Sequence, residues 1–77
     1  MSFEATNLDA MEPAELREWA AALPDTMPGH LRSLLTSYAR HKADAMEYRA
    51  GGAIVGAIVF ERQCDRIYNL LPAECRW

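Results

Sequence analysis

The segment Tyr48-Arg49-Ala50-Gly51-Gly52-Ala53-Ile54-Val55 decides how this chain folds, because two consecutive glycines stand where two long apolar-striped stretches meet. Glycine alone enters the left-handed backbone region without a Cβ penalty, and Arg49 occupies the preceding turn, where a cation suits the negative end of a helix. The pair predicts a helix stop and a bend. The alternative is one continuous helix from about 30 to 71 that tolerates the glycines at roughly 1 kcal/mol each.

Upstream of the glycines, Leu31, Leu34, Leu35, Tyr38, Lys42, Ala45, Met46 and Arg49 share one stripe at helical spacing. A helix is expected over 30–50. Downstream, a second helix is expected over 53–71, with Pro72 helping to stop it. If the bend centres on Gly51-Gly52, an antiparallel pairing brings together positions whose numbers sum to about 103. Met46 then faces Ala57, Ala45 faces Ile58, Lys42 faces Glu61, Ala39 faces Cys64, Tyr38 faces Asp65 and Leu35 faces Tyr68. The two polar pairs are expected to fix the register of an otherwise apolar seam. A functional alternative makes Lys42, Arg49 and Glu61 the floor of a polar pocket for a small, nucleotide-like ligand.

The downstream helix carries two apolar stripes. Ile54, Ala57, Ile58, Cys64, Tyr68 and Leu71 serve the seam, while Val55, Val59, Phe60, Ile67 and Leu70 form a second one. A helix apolar on two sides must be covered on two sides. The second stripe, with Trp19, therefore predicts a homodimer interface or a docking patch for another protein. Gly52, Gly56, Ala53 and Ala57 give small-xxx-small spacings that permit close helix approach, either within the chain or across a dimer.

Further from the centre, Glu12-Pro13-Ala14-Glu15 reads as a helix start, since proline fits the first helical position and early acids favour the positive end of the dipole. A short helix over 13–23 follows, with Leu16, Trp19, Ala20 and Leu23 on one face and Met11 placed to staple onto Leu16. Pro24 to Gly29 is a turn in which Asp25 or Thr26 is available to cap the next helix. Residues 1–11 read as an arm that orders only by docking, and 72–77 as a tail. The expected fold is all-α: a short N-terminal helix and a long antiparallel helical hairpin in one domain, dimerising into a bundle.

At 77 residues the chain buries only about 60% of its unfolded surface, so a partner chain is a natural source of extra stability. The hydrophobic fraction of 51% is compatible with that remedy. Met1-Ser2-Phe3-Glu4 has neither a basic region nor an apolar run, so no signal peptide is expected and the setting is expected to be cytoplasmic and reducing. Cys64 and Cys75 then read as a buried small hydrophobe and an incidental tail residue, not a bridge. The longest apolar run, Ala50 to Phe60, has 11 residues including three glycines, short of the roughly 20 that span a bilayer. Net charge is −3 with the arginines scattered, which argues against nucleic acid or anionic lipid as a partner.

Chemistry is harder to find. His30, His41, Cys64 and Cys75 lack metal-ligand spacing, and His41 is expected to face solvent. Cys64 has apolar neighbours that would raise its pKa instead of activating it. Glu61 and Asp65, four apart on one helix, each have an expected partner already, so no acid/base pair is assigned. No phosphate loop or dinucleotide fingerprint occurs, because the glycines follow a helix and not a strand. No cofactor, metal or catalytic residue is expected, and the function expected is binding.

The spacing Tyr38-x3-Lys42-x2-Ala45, Arg49-x2-Gly52-x-Ile54-x2-Ala57, Glu61-x2-Cys64-Asp65-x-Ile67-Tyr68-x2-Leu71-Pro72 and Arg76-Trp77 resembles small helical proteins of unknown function encoded by tailed bacteriophages and prophages. It covers just over half of the chain. The resemblance implies an accessory protein that modulates or inhibits a host defence or regulatory protein, or a virion or assembly component. A weaker resemblance, through Gly52-x-Ile54-x2-Ala57-Ile58 and Pro72, is to a single tetratricopeptide-type helix pair. There is one copy only, the second helix is too long, and the first lacks the usual tryptophan.

Overall fold

A computed structural model describes residues 7–77. It is all-helical, as expected. Three α-helices run in order, α1 over Pro13–Ala21, α2 over Gly29–Ala50 and α3 over Ile54–Leu70, with short 3-10 turns at Leu8–Ala10 and Ala73–Cys75. The first residues of the arm lie outside those described.

Local chemistry explains each boundary. Pro13 opens α1, and the Glu15 side chain accepts the backbone N–H of Glu12 at 3.3 Å, satisfying one of the free donors at the helix start. Pro28 precedes α2 and provides no side-chain cap. Asp25, expected as a cap, instead meets Arg32 at 3.2 Å. α2 stops at Ala50 because Gly52 turns the backbone to φ +85°, a conformation in which a Cβ would be strained. Leu71 is extended at ψ 144°, as the clash with the ring of Pro72 demands, and α3 ends there.

α2 packs against both other helices, chiefly α3. Between α2 and α3, Tyr48 meets Phe60, and Tyr38 meets Cys64 and Tyr68. Small side chains line this contact, with Ala39, Ala43 and Ala57 all at 0% exposure, so the backbones approach closely. One core cluster joins Leu8, Leu16 and Ala20 to Tyr38, Ala39, Ala43, Cys64 and Ile67. A second joins Met27, Leu35, Leu71 and Cys75. Leu8, Leu16, Leu35 and Leu71 are fully buried, each contributing on the order of 2 kcal/mol of hydrophobic stabilisation.

Both ends of the described chain dock on this core. Leu8 is fully buried beside Leu16, with Met11 packed on the same cluster. Cys75, expected as an incidental tail residue, is 3% exposed, because the turn over Ala73–Cys75 folds it under Leu71 and Met27. Cys64 and Cys75 are both free and buried. The body measures 42 × 22 × 19 Å, and residues 47–55, around the α2–α3 turn, are exposed at every position. No helix of the described residues is long and apolar enough to cross a membrane.

Candidate interaction face

α3 presents different surfaces to the core and to solvent. Ala57, Phe60, Cys64 and Ile67, at helical spacing, turn towards the core, and Leu71 continues that line beyond the helix end. On the other side Val55 is 79% exposed, Val59 52% and Leu70 61%, joined by Ile54 and Ile58. Ile54, Val55, Ile58 and Val59 lie at i, i+1, i+4 and i+5, forming a contiguous apolar quartet on the first turns of α3. Tyr48 extends it from α2. Its ring stands edge-on to Phe60 with centroids 5.2 Å apart and covers Gly56, where an added Cβ would lie 2.5 Å from the ring. Gly56 therefore serves the fit of Tyr48 within the chain.

The expected division of stripes is rotated about the α3 axis by roughly 60°, less than one residue's step of about 100°. Ile54 and Ile58, expected in the seam, are out. Ile67, expected on the exposed stripe, is 9% exposed and belongs to the core cluster that also holds Leu8, Leu16, Tyr38 and Cys64. Phe60 is half-buried between Tyr48 and the ring of His41, which stacks on it at 5.7 Å. His41 thus does not face solvent as expected, and its Nδ1 is buried without a hydrogen-bond partner. Trp19 is partly buried where the two core clusters meet and is a packing residue of α1, not a member of the α3 face.

Neither expected polar pair between α2 and α3 forms. The Tyr38 hydroxyl donates to Asp9 at 2.8 Å, not to Asp65, which is exposed and unpaired among the described residues. Lys42 also turns to Asp9, at 3.5 Å. Glu61 is taken instead by Arg49 in a two-pronged contact, Nε at 3.0 Å and Nη2 at 2.7 Å. That planar fork matches a carboxylate in a way an ammonium cannot, and it holds the Glu61 carboxyl below its usual range.

The contacts of Asp9 and of Trp77 are not expected from the sequence. The Trp77 indole N–H donates to Asp9 at 3.1 Å, and its ring stands edge-on to both Tyr38 and Tyr68, at 4.8 and 4.9 Å. Tyr68 donates its hydroxyl to the Trp77 carbonyl. Burial works to raise the Asp9 pKa, but the hydrogen bonds from Trp77 and Tyr38 and the Lys42 ammonium outweigh it, and the carboxyl lies below its usual range. Burial first, and Asp9 second, push the Tyr38 phenol upward. Every group in this knot is engaged within the chain.

The remaining features are less suited to ligand chemistry. An open concavity of about 350 Å³ is lined by Arg17, Ala20, Ala21, Thr36 and Arg40, but Arg17 is committed to Asp44 at 2.9 Å and to Glu47. Burial pushes the Cys64 thiol up to about 11, away from the thiolate. Among the described residues no group of three or more His, Cys, Asp or Glu side chains is placed to hold a metal ion. The sequence matches no family model, no curated protein and no solved structure.

Proposed function

We propose that the chain is a non-enzymatic protein-interaction module whose docking face is the apolar quartet Ile54, Val55, Ile58 and Val59 with Tyr48 beside it. One observation carries this reading: five sizeable apolar side chains cluster on the projecting α2–α3 turn region, each at least 38% exposed. Singly exposed apolar residues are ordinary, whereas a contiguous group marks a surface that another molecule covers. The helical hairpin of α2 and α3 serves as its rigid support, held by the core at the opposite end. The small-ligand alternative loses support because Lys42, Arg49 and Glu61 each have a partner within the chain. On the resemblance to phage-encoded proteins, the partner is a host defence or regulatory protein, and docking modulates or inhibits it. The expected homodimer would use the same face.

A photo-crosslinking residue placed at Val55 tests the reading, with one at exposed Glu18 on α1 as control. Crosslinks from position 55 to a discrete protein, absent from position 18, support it. Equal labelling from both positions, or none from position 55, rejects it. A crosslinked product of twice the chain mass identifies a second copy as the occupant.

A further inference from the structure

Beyond the quartet the solvent face of α3 changes character. Arg62, Asp65, Arg66 and Asn69 follow on the same side, all exposed. Arg17, Arg32, Lys42 and Arg49 each have an acidic partner, whereas Arg62 and Arg66 have none among the described residues, as is also true of Arg40 and Arg76 away from this face. Along about 20 Å of helix, the surface is therefore apolar for its first turns and then charged, with two guanidiniums to the one carboxylate of Asp65, up to exposed Leu70 at the helix end.

This order discriminates between occupants. If a second copy lies antiparallel along the whole face, positions summing to about 124 oppose one another: the two Arg62 guanidiniums meet at the centre, and Arg66 and Asp65 of each chain lie against the other's apolar Ile58 and Val59. Glu61 cannot help, since Arg49 holds it. Laid parallel, each arginine faces its own counterpart, and like charges across an interface cost several kcal/mol. If two copies overlap only over the quartet, five part-exposed side chains provide well under the about 800 Å² per partner of a standard interface. A bilayer surface would have to accept a chain of net charge −3.

Resting on the docking face proposed above, we infer that the occupant is an amphipathic helix of another protein, apolar where it meets Ile54 to Val59 and acidic where it meets Arg62 and Arg66. The apolar end supplies most of the affinity, through burial of Val55 and Val59. The acidic end sets direction and partner choice. Helical form suits the site because the Ile54–Ile58 and Val55–Val59 ridges, each four residues apart, leave a groove between them that a partner helix's side chains fill.

The full chain is titrated with a synthetic helical peptide of about 18 residues, or five turns, carrying leucines over its first half and glutamates over its second. A second peptide has lysines in place of the glutamates. Fluorescence anisotropy gives the affinities. The glutamate peptide is expected to bind at least about tenfold more tightly than the lysine peptide, with the order reversed in the Arg62→Glu/Arg66→Glu variant. Equal binding of both peptides, or no binding of either, overturns the inference. If Val55→Asp/Val59→Asp weakens binding while the arginine variant does not, the docking face stands and its acidic partner falls. If only Val55→Asp/Val59→Asp is without effect, the docking face itself falls. Sedimentation velocity across concentrations and flotation with phosphatidylglycerol vesicles complete the test, and self-association or vesicle binding through this face overturns the inference.

Discussion

Asp9 is one carboxylate serving three groups, Tyr38, Trp77 and Lys42, and its protonation state is coupled to folding. Its folded pKa lies below the ordinary 3.8, so the stability it contributes is present above that value and is lost as pH falls through the lower folded one. Urea midpoints measured from neutral to strongly acidic pH should therefore drop more steeply in the native protein than in Asp9→Asn, which keeps the shape but not the charge. Superimposable curves would show that Asp9 contributes nothing through its charge. A second comparison separates the two sides of α3. Ile67→Ala should cost about 2–4 kcal/mol by leaving a cavity beside Leu8 and Leu16, whereas Val55→Ala should stay within about 0.5 kcal/mol. Comparable losses in chemical denaturation would contradict the rotation of α3 described above.

Among the helices, the α2–α3 turn depends on one backbone angle. Gly52→Ala must place a Cβ at φ +85° and should lower stability by about 1 kcal/mol or more, read from the urea midpoint at an unchanged slope. This position was legible in the sequence because a glycine's conformational freedom is a local property, and so was the all-helical class, which follows from periodicity. The rotation of α3 was not legible, since a helix apolar on two sides does not say which side its neighbours occupy. With Ile67 inside the cluster that holds Leu8 and Leu16, Ile58, nine residues earlier and so about 180° away around the helix, lies outward. The direct bond from Arg49 to Glu61 is not legible either: pairing positions one for one joins Glu61 to Lys42, and the reach of a guanidinium fork is not captured that way. The face proposed for docking was thus half visible, in Val55 and Val59, and half hidden, in Ile54, Ile58 and Tyr48.

At the scale of the whole molecule, the core and the proposed docking face are spatially divided, the core towards the chain ends and the face beside the projecting turn. Trp77 ties the core end together, and Trp77→Ala should cost about 2–3 kcal/mol in equilibrium unfolding, somewhat less than for a fully buried tryptophan, with the helical circular dichroism signal retained at low temperature. Little in the sequence announces this role, because a terminal tryptophan reveals its neighbours only once α2 and α3 are assembled. The bond from Trp77 to Asp9 spans 68 positions, and closing so long a loop yields nothing until the helices between have packed. Its formation therefore belongs to the descent from the folding barrier and not to the climb. In stopped-flow experiments Trp77→Ala should speed unfolding in proportion to its full stability loss while leaving the folding rate nearly unchanged. A slowed folding limb would place the contact in the nucleus instead. The contact between Asp9 and Trp77 thus sets how long a folded molecule lasts, and the helices between them how fast it forms.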